Sequence, residues 1–172
     1  MVMRSTLKEA LKLVKAEPEL LKGLKEWHAY DMTLPSAKGN EQEFDEWLDM
    51  QLRYSSTVID GLFGGEQKPK DIVDVLRIDT LGDPLARRLS NELKGHYGTS
   101  SNGYVEDGRV FASVWISGEN ADEVRAEADK IEKAFEDAGY STERFLDPEF
   151  DADVTIYGNI PFKEYQKQRK EV

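Results

Sequence analysis

The octapeptide YVEDGRVF, residues 104–111, decides the fold. Its centre, Asp107-Gly108, is a strong two-residue hairpin signature, because both central positions of such a turn take positive φ. The turn sets Glu106 opposite Arg109, Val105 opposite Val110 and Tyr104 opposite Phe111. These are an opposite-charge pair, a β-branched pair and an aromatic pair, all favourable across strands. The strand leaving the turn has two apolar faces, Val110, Ala112, Val114 and Ile116 on one, Phe111, Ser113 and Trp115 on the other.

Toward the C-terminus, Asn120 and Glu123 cap a helix whose apolar stripe is Val124, Ala128, Ile131, Phe135 and Ala138, closed by Gly139. Its opposite face carries Glu127, Asp129, Glu132, Lys133, Glu136 and Asp137. Thr142 to Asp147 reads as a third strand, and Asp147-Pro148 opens a turn. In the fourth strand Ala152, Val154 and Ile156 alternate with Asp153, Thr155 and Tyr157. Residues 99–162 therefore spell ββαββ, a four-stranded antiparallel sheet packed on one long helix. Residues 163–172 are a polar tail, either disordered or a short helix.

Toward the N-terminus the pattern is helical. Thr6 with Glu9 forms a capping-box signature, followed by Leu7, Leu11 and Val14 on one face. Pro18 starts a second helix with Leu20, Leu24 and Trp27, ending near Asp31, before a loop from Met32 to Asn40. Asn40 with Glu43 is a second capping signature, for an amphipathic helix of about six turns that Gly64-Gly65 ends. Lys68 to Asp79 fits helix or strand, and helix is favoured. Asp83-Pro84 is a clean helix start, with Leu85, Leu89 and Leu93 repeating every four residues. Thr99 to Gly103 reads as a small-residue loop. The fold class is α+β: a helical region 1–98 forming one compact unit with the sheet region 99–162.

A chain of 172 residues suits one such domain and needs no metal or disulfide to fold. It has no cysteine, which removes disulfides, zinc–thiolate sites and thiol nucleophiles, and fits a reducing compartment. No apolar run approaches the roughly 18 residues of a membrane span, and the first residues lack the apolar block of a signal peptide. A cytoplasmic protein is expected, in the host or producing cell.

The net charge is −11 at pH 7, concentrated in residues 101–160, where fifteen acids face five bases. Phosphate backbones and anionic lipid repel such a surface, so neither direct nucleic-acid binding nor membrane association is expected.

Residues for chemistry are sparse. His28 and Asp31 have helical spacing but no third ligand, and His96 follows a helix end. Residues 98–103 lack the G-x-S-x-G spacing of a nucleophile elbow, and Gly61, Gly64 and Gly65 lack the Lys-Ser/Thr of a phosphate loop. Asp147, Glu149, Asp151 and Asp153 alternate along one segment but lack the glycine and distal glutamate of a calcium loop. No catalytic residue, metal ligand or cofactor site is assigned.

What remains is recognition. Tyr104, Phe111 and Trp115, with Tyr157 beside them, place aromatics on one sheet face, to be covered by the N-terminal helices or by a partner. The leading expectation is a non-enzymatic protein–protein interaction module, binding another protein or copies of itself within a larger viral or mobile-element assembly. The alternative is an acidic inhibitor that mimics nucleic acid, using Glu127, Glu132 and Glu136 against a basic protein. A metal-dependent hydrolase built on the 147–153 carboxylates is the third.

Overall fold

Apolar residues at helical spacing become helices α1 (Arg4–Lys15), α2 (Pro18–Asp31), α3 (Phe44–Val58) and α4 (Pro69–Leu81). The structure, a computed structural model, describes residues 2–65, 67–147, 149–150 and 152–170. The chain separates into two units, residues 1–81 and 82–172.

In the first unit α4 packs against α1, α2 and α3. It is buried on nearly every side, through Ile72, Val73, Val75, Leu76 and Ile78. A helix buried all round has no single apolar stripe, which is why its periodicity also fitted a strand. Leu7, Ala10, Val14, Leu20, Leu24, Trp47, Leu48 and Leu52 supply the surrounding core. Trp47 meets Trp27 edge-on at 5.1 Å.

Two expected caps are corrected. The first helix begins at Arg4, so Thr6 lies inside it, and the third begins at Phe44 with Glu43 at its N-cap and no side-chain cap bond. The third helix is also shorter than six turns. It stops at Val58, where Ile59 turns inward to full burial and Gly61 takes a φ of 81°. Burying Ile59 outweighs continuing a helix whose next face is exposed.

The second unit contains α5 (Pro84–Leu93), β1 (Gly98–Glu106), β2 (Arg109–Ser117), α6 (Ala121–Asp137), β3 (Ser141–Leu146), β4 (Asp153–Pro161) and α7 (Phe162–Lys170). The antiparallel sheet runs β1-β2-β4-β3. Asp107 and Gly108 turn the first hairpin with φ of 50° and 72°, and the three expected cross-strand pairs all form. Asp83 and Asn120 each cap a helix by accepting from the backbone N–H three residues on.

α5, α6 and α7 pack on the sheet. The covered face holds Val110, Ala112, Val114 and Ile116 of β2 with Val154, Ile156 and Ile160 of β4, against Val124, Ile131 and Phe135 of α6. The alternation read from β2 is thus the alternation observed.

Two readings around α5 change. Residues 99–103 are strand, paired from Thr99 opposite Ile116 to Gly103 opposite Ala112. Pairing with an apolar partner strand overrides the poor strand propensity of Ser, Asn and Gly. The leucines of α5 are only half-buried, while Ala86 and Ser90 face the sheet. Close approach explains both, since a Cβ on Gly103 would sit 2.3 Å from the Asp83 nitrogen. Only small residues fit where backbone meets backbone at that distance.

The tail forms α7 as far as Lys170, with Phe162 and Tyr165 buried, and residues 171–172 lie outside the described residues. Pro148 of the expected Asp147-Pro148 turn lies outside them too. Among the described residues no helix is long and apolar enough to cross a membrane.

Candidate functional site: an open aromatic sheet face

The pleat that buries Val110 and Val114 sends Phe111, Ser113 and Trp115 to the other side of β2. Register then decides their neighbours. Tyr104 sits opposite Phe111 and stacks on it, rings 5.2 Å apart and 14° from parallel. Tyr157 of β4 lies opposite Ser113, diagonal to both Phe111 and Trp115. The four aromatics singled out from the sequence therefore share one face.

That face is open. The three helices that pack on this sheet do so on the opposite side, leaving Tyr104 44% and Tyr157 47% exposed. Phe111 and Trp115 are half-buried. Phe145 joins them at 54% exposure, opposite Thr155 and diagonal to Tyr157. Sequence reasoning missed it because its side depends on how β3 registers with β4. The one sequence signal was its alternation with Arg144.

Trp115 is held in place. Its indole N–H donates to the Asp153 carboxylate at 2.6 Å, and its ring lies across Gly98, where a Cβ would come within 3.3 Å. Asp153 is therefore occupied in positioning an aromatic. Asp147 accepts from the Glu149 N–H at 2.8 Å, and Asp151 lies outside the described residues. Among the described residues no three His, Asp or Glu groups are arranged to hold a metal ion.

The charges on the aromatic face are Glu106, Arg109, Glu143 and Asp153, and Arg109 donates to Asn159 at 2.8 Å. Three carboxylates against one engaged guanidinium leave the face net acidic. Beyond Trp115 the acid continues. Gly98, which the Trp115 ring covers, also lines a groove of about 900 Å³ in which Glu92, Glu119, Glu123 and Glu127 outnumber the single lysine, Lys130.

The three glutamates proposed for phosphate mimicry are engaged on their own surface. Glu127 pairs with Lys130 at 3.4 Å, Glu136 accepts from the Thr142 hydroxyl, and Glu132 binds Arg144. Arg144 also reaches Asp129 at 2.6 Å. Burial pulls its guanidinium down, but the bonds to Asp129 and Glu132 outweigh this and leave it raised.

The remaining polar singletons have structural partners. His28 hydrogen-bonds the Gln42 carbonyl at 2.8 Å and packs against Phe44 and Trp47, while Asp31 accepts from the Trp47 indole. His96 is exposed at the end of α5, its backbone N–H bonded to Leu93. In the first unit Arg77 joins Asp74 and Glu17, and again the bonds outweigh burial to raise it. In the second unit Tyr140 donates to buried Asp83 at 2.6 Å, and burial first, then that carboxylate, raises its hydroxyl well above the ordinary tyrosine range.

No protein-family model, curated protein or solved structure matches the chain.

Proposed function

We propose that the chain is a non-enzymatic protein–protein interaction module. Its open aromatic sheet face takes a partner protein that presents apolar side chains within a basic rim. The observation that carries this reading is the shared, uncovered face of Tyr104, Phe111, Trp115, Tyr157 and Phe145. Aromatic anchors of this kind dominate interface energetics, and large exposed apolar patches are uncommon without a role. The acids on the face and in the adjoining groove select a basic partner. They also oppose pairing with a second copy, because each copy carries −11. Glu127, Glu132 and Glu136, bound to Lys130, Arg144 and Thr142, are less free to act as a phosphate array.

The test is affinity capture from the producing cells, followed by binding of the purified partner to variants. Tyr104→Ser, Tyr157→Ser and Phe145→Ser together should weaken binding about thirtyfold or more, the loss of at least one hot spot. Charge reversal at Glu127, Glu132 and Glu136 should change it far less. The opposite pattern would transfer the function to the acidic helix and the mimicry reading. Concentration-dependent dimerisation in sedimentation, abolished by the face variants, would replace the basic partner by a second copy.

A further inference from the structure

The helix-covered side of the sheet carries a second feature, unrelated to the aromatic face. α5, α6 and α7 line a cleft of about 770 Å³. Leu85, Ala138 and the rings of Tyr140 and Tyr165 give it apolar walls, while Arg88 and Arg169 supply two cations and Asp137 one carboxylate. In a chain with an acidic excess of −11, a cleft where cations outnumber acids is a local reversal.

The two guanidiniums are placed and underused. Arg169 donates to the Tyr165 hydroxyl, and its guanidinium carbon lies 5.2 Å from the centre of the same ring. Among the described residues no carboxylate pairs with it. Among the described residues Arg88 pairs only with Glu92, at 3.8 Å, with both side chains about two-thirds exposed. That is beyond hydrogen-bond range and worth little in water. Gln168, one residue before Arg169, donates to the Ala138 carbonyl at the end of α6 and so ties this part of α7 to the cleft wall.

We propose that this cleft binds a small aromatic acid, with its carboxylate or phosphate between Arg88 and Arg169 and its ring against the apolar wall. The volume falls within the roughly 300–1,000 Å³ of small-molecule sites, which combine apolar walls with a few placed polar groups. Guanidinium forks match carboxylate and phosphate bidentately, and Arg169 is already oriented by Tyr165, so less is lost on ordering it. Half-buried Leu85 also gains a role, since it forms a wall of the cleft rather than part of the core.

Titration calorimetry on the full chain tests this with four probes: indole-3-acetate, phenyl phosphate, inorganic phosphate and uncharged indole. At least one aromatic anion should bind with a dissociation constant below about one millimolar, and the two distinguish a carboxylate from a phosphate site. Arg88→Gln and Arg169→Gln should each weaken it roughly tenfold or more, the loss of a charge-assisted bond. Arg169→Lys, which keeps the charge but not the fork, should fall between. Arg88 is exposed, so its variant leaves the fold intact. The proposal is overturned if neither aromatic anion binds at about ten millimolar. It is equally overturned if both Gln variants bind as the parent does, or if inorganic phosphate or indole binds as tightly as the aromatic acids.

Discussion

Replacing Tyr140 by Phe isolates one hydroxyl. The ring stays, still 5.2 Å from Phe135, so no cavity opens. The loss is the 2.6 Å bond to the Asp83 carboxylate, which is fully buried and otherwise accepts from the Ala86 N–H. A hydrogen bond to a charged acceptor contributes about 1.5–3 kcal/mol, so about 2 kcal/mol should be lost near neutral pH. For a unit of this size that lowers Tm by roughly 8–16 °C. The pH dependence supplies the sign. Burial and Asp83 raise the Tyr140 hydroxyl above its unfolded value. Its contribution is therefore fully present below about pH 10 and declines above it, by up to about 1.4 kcal/mol per pH unit. Phe has no such proton. The gap between parent and variant should thus shrink from about 2 kcal/mol near pH 7 to close to zero by about pH 11.5. Urea unfolding followed by circular dichroism at several pH values measures it. A gap under about 0.5 kcal/mol near neutrality, or one that stays constant into alkali, refutes the reasoning.

Three further outcomes are expected. Gly103→Ala should cost more than about 3 kcal/mol or prevent folding of residues 82–172, because its Cβ meets the Asp83 backbone at 2.3 Å; a mild shift in urea midpoint would contradict the close approach. Arg77→Gln should destabilise the first unit by about 1–3 kcal/mol, since it strips buried Asp74 and half-buried Glu17 of their shared guanidinium, as thermal unfolding would register. Ser55→Ala should be neutral or stabilising by up to about 1 kcal/mol, because the buried Ser55 hydroxyl has no partner among the described residues; a clear loss of stability would reveal one.

What the sequence disclosed was whatever short-range physics controls. The hairpin at Asp107-Gly108, the caps at Asp83 and Asn120 and the stripe of α6 each depend on residues a few positions apart. The aromatic face followed from the hairpin register and one alternation, which is why four of its five members were legible. Phe145 was not, because only the pairing of β3 with β4 assigns its side. The strand at residues 99–103 was hidden for the same reason, as Ser and Gly join a sheet only when a partner strand supplies the drive. Neither the Asp83–Tyr140 bond nor the cleft between Arg88 and Arg169 left a local trace. Both join residues far apart in the chain, through packing that no spacing rule encodes.

The strand order has a consequence for synthesis. β4 lies between β2 and β3 although it is made after both, so the nascent chain holds a β1–β2 hairpin and an unpaired β3 until residues 153–161 leave the ribosome. At roughly 5–20 residues per second the delay is short, but during it Val110, Val114 and Ile116 have a strand on the β1 side only and incomplete cover. The insertion of β4 joins the sheet in one step and brings α7 after it. A nascent chain whose residues 153–161 are still inside the ribosome therefore carries a half-sheet with an open β2 edge, a form exposed to aggregation.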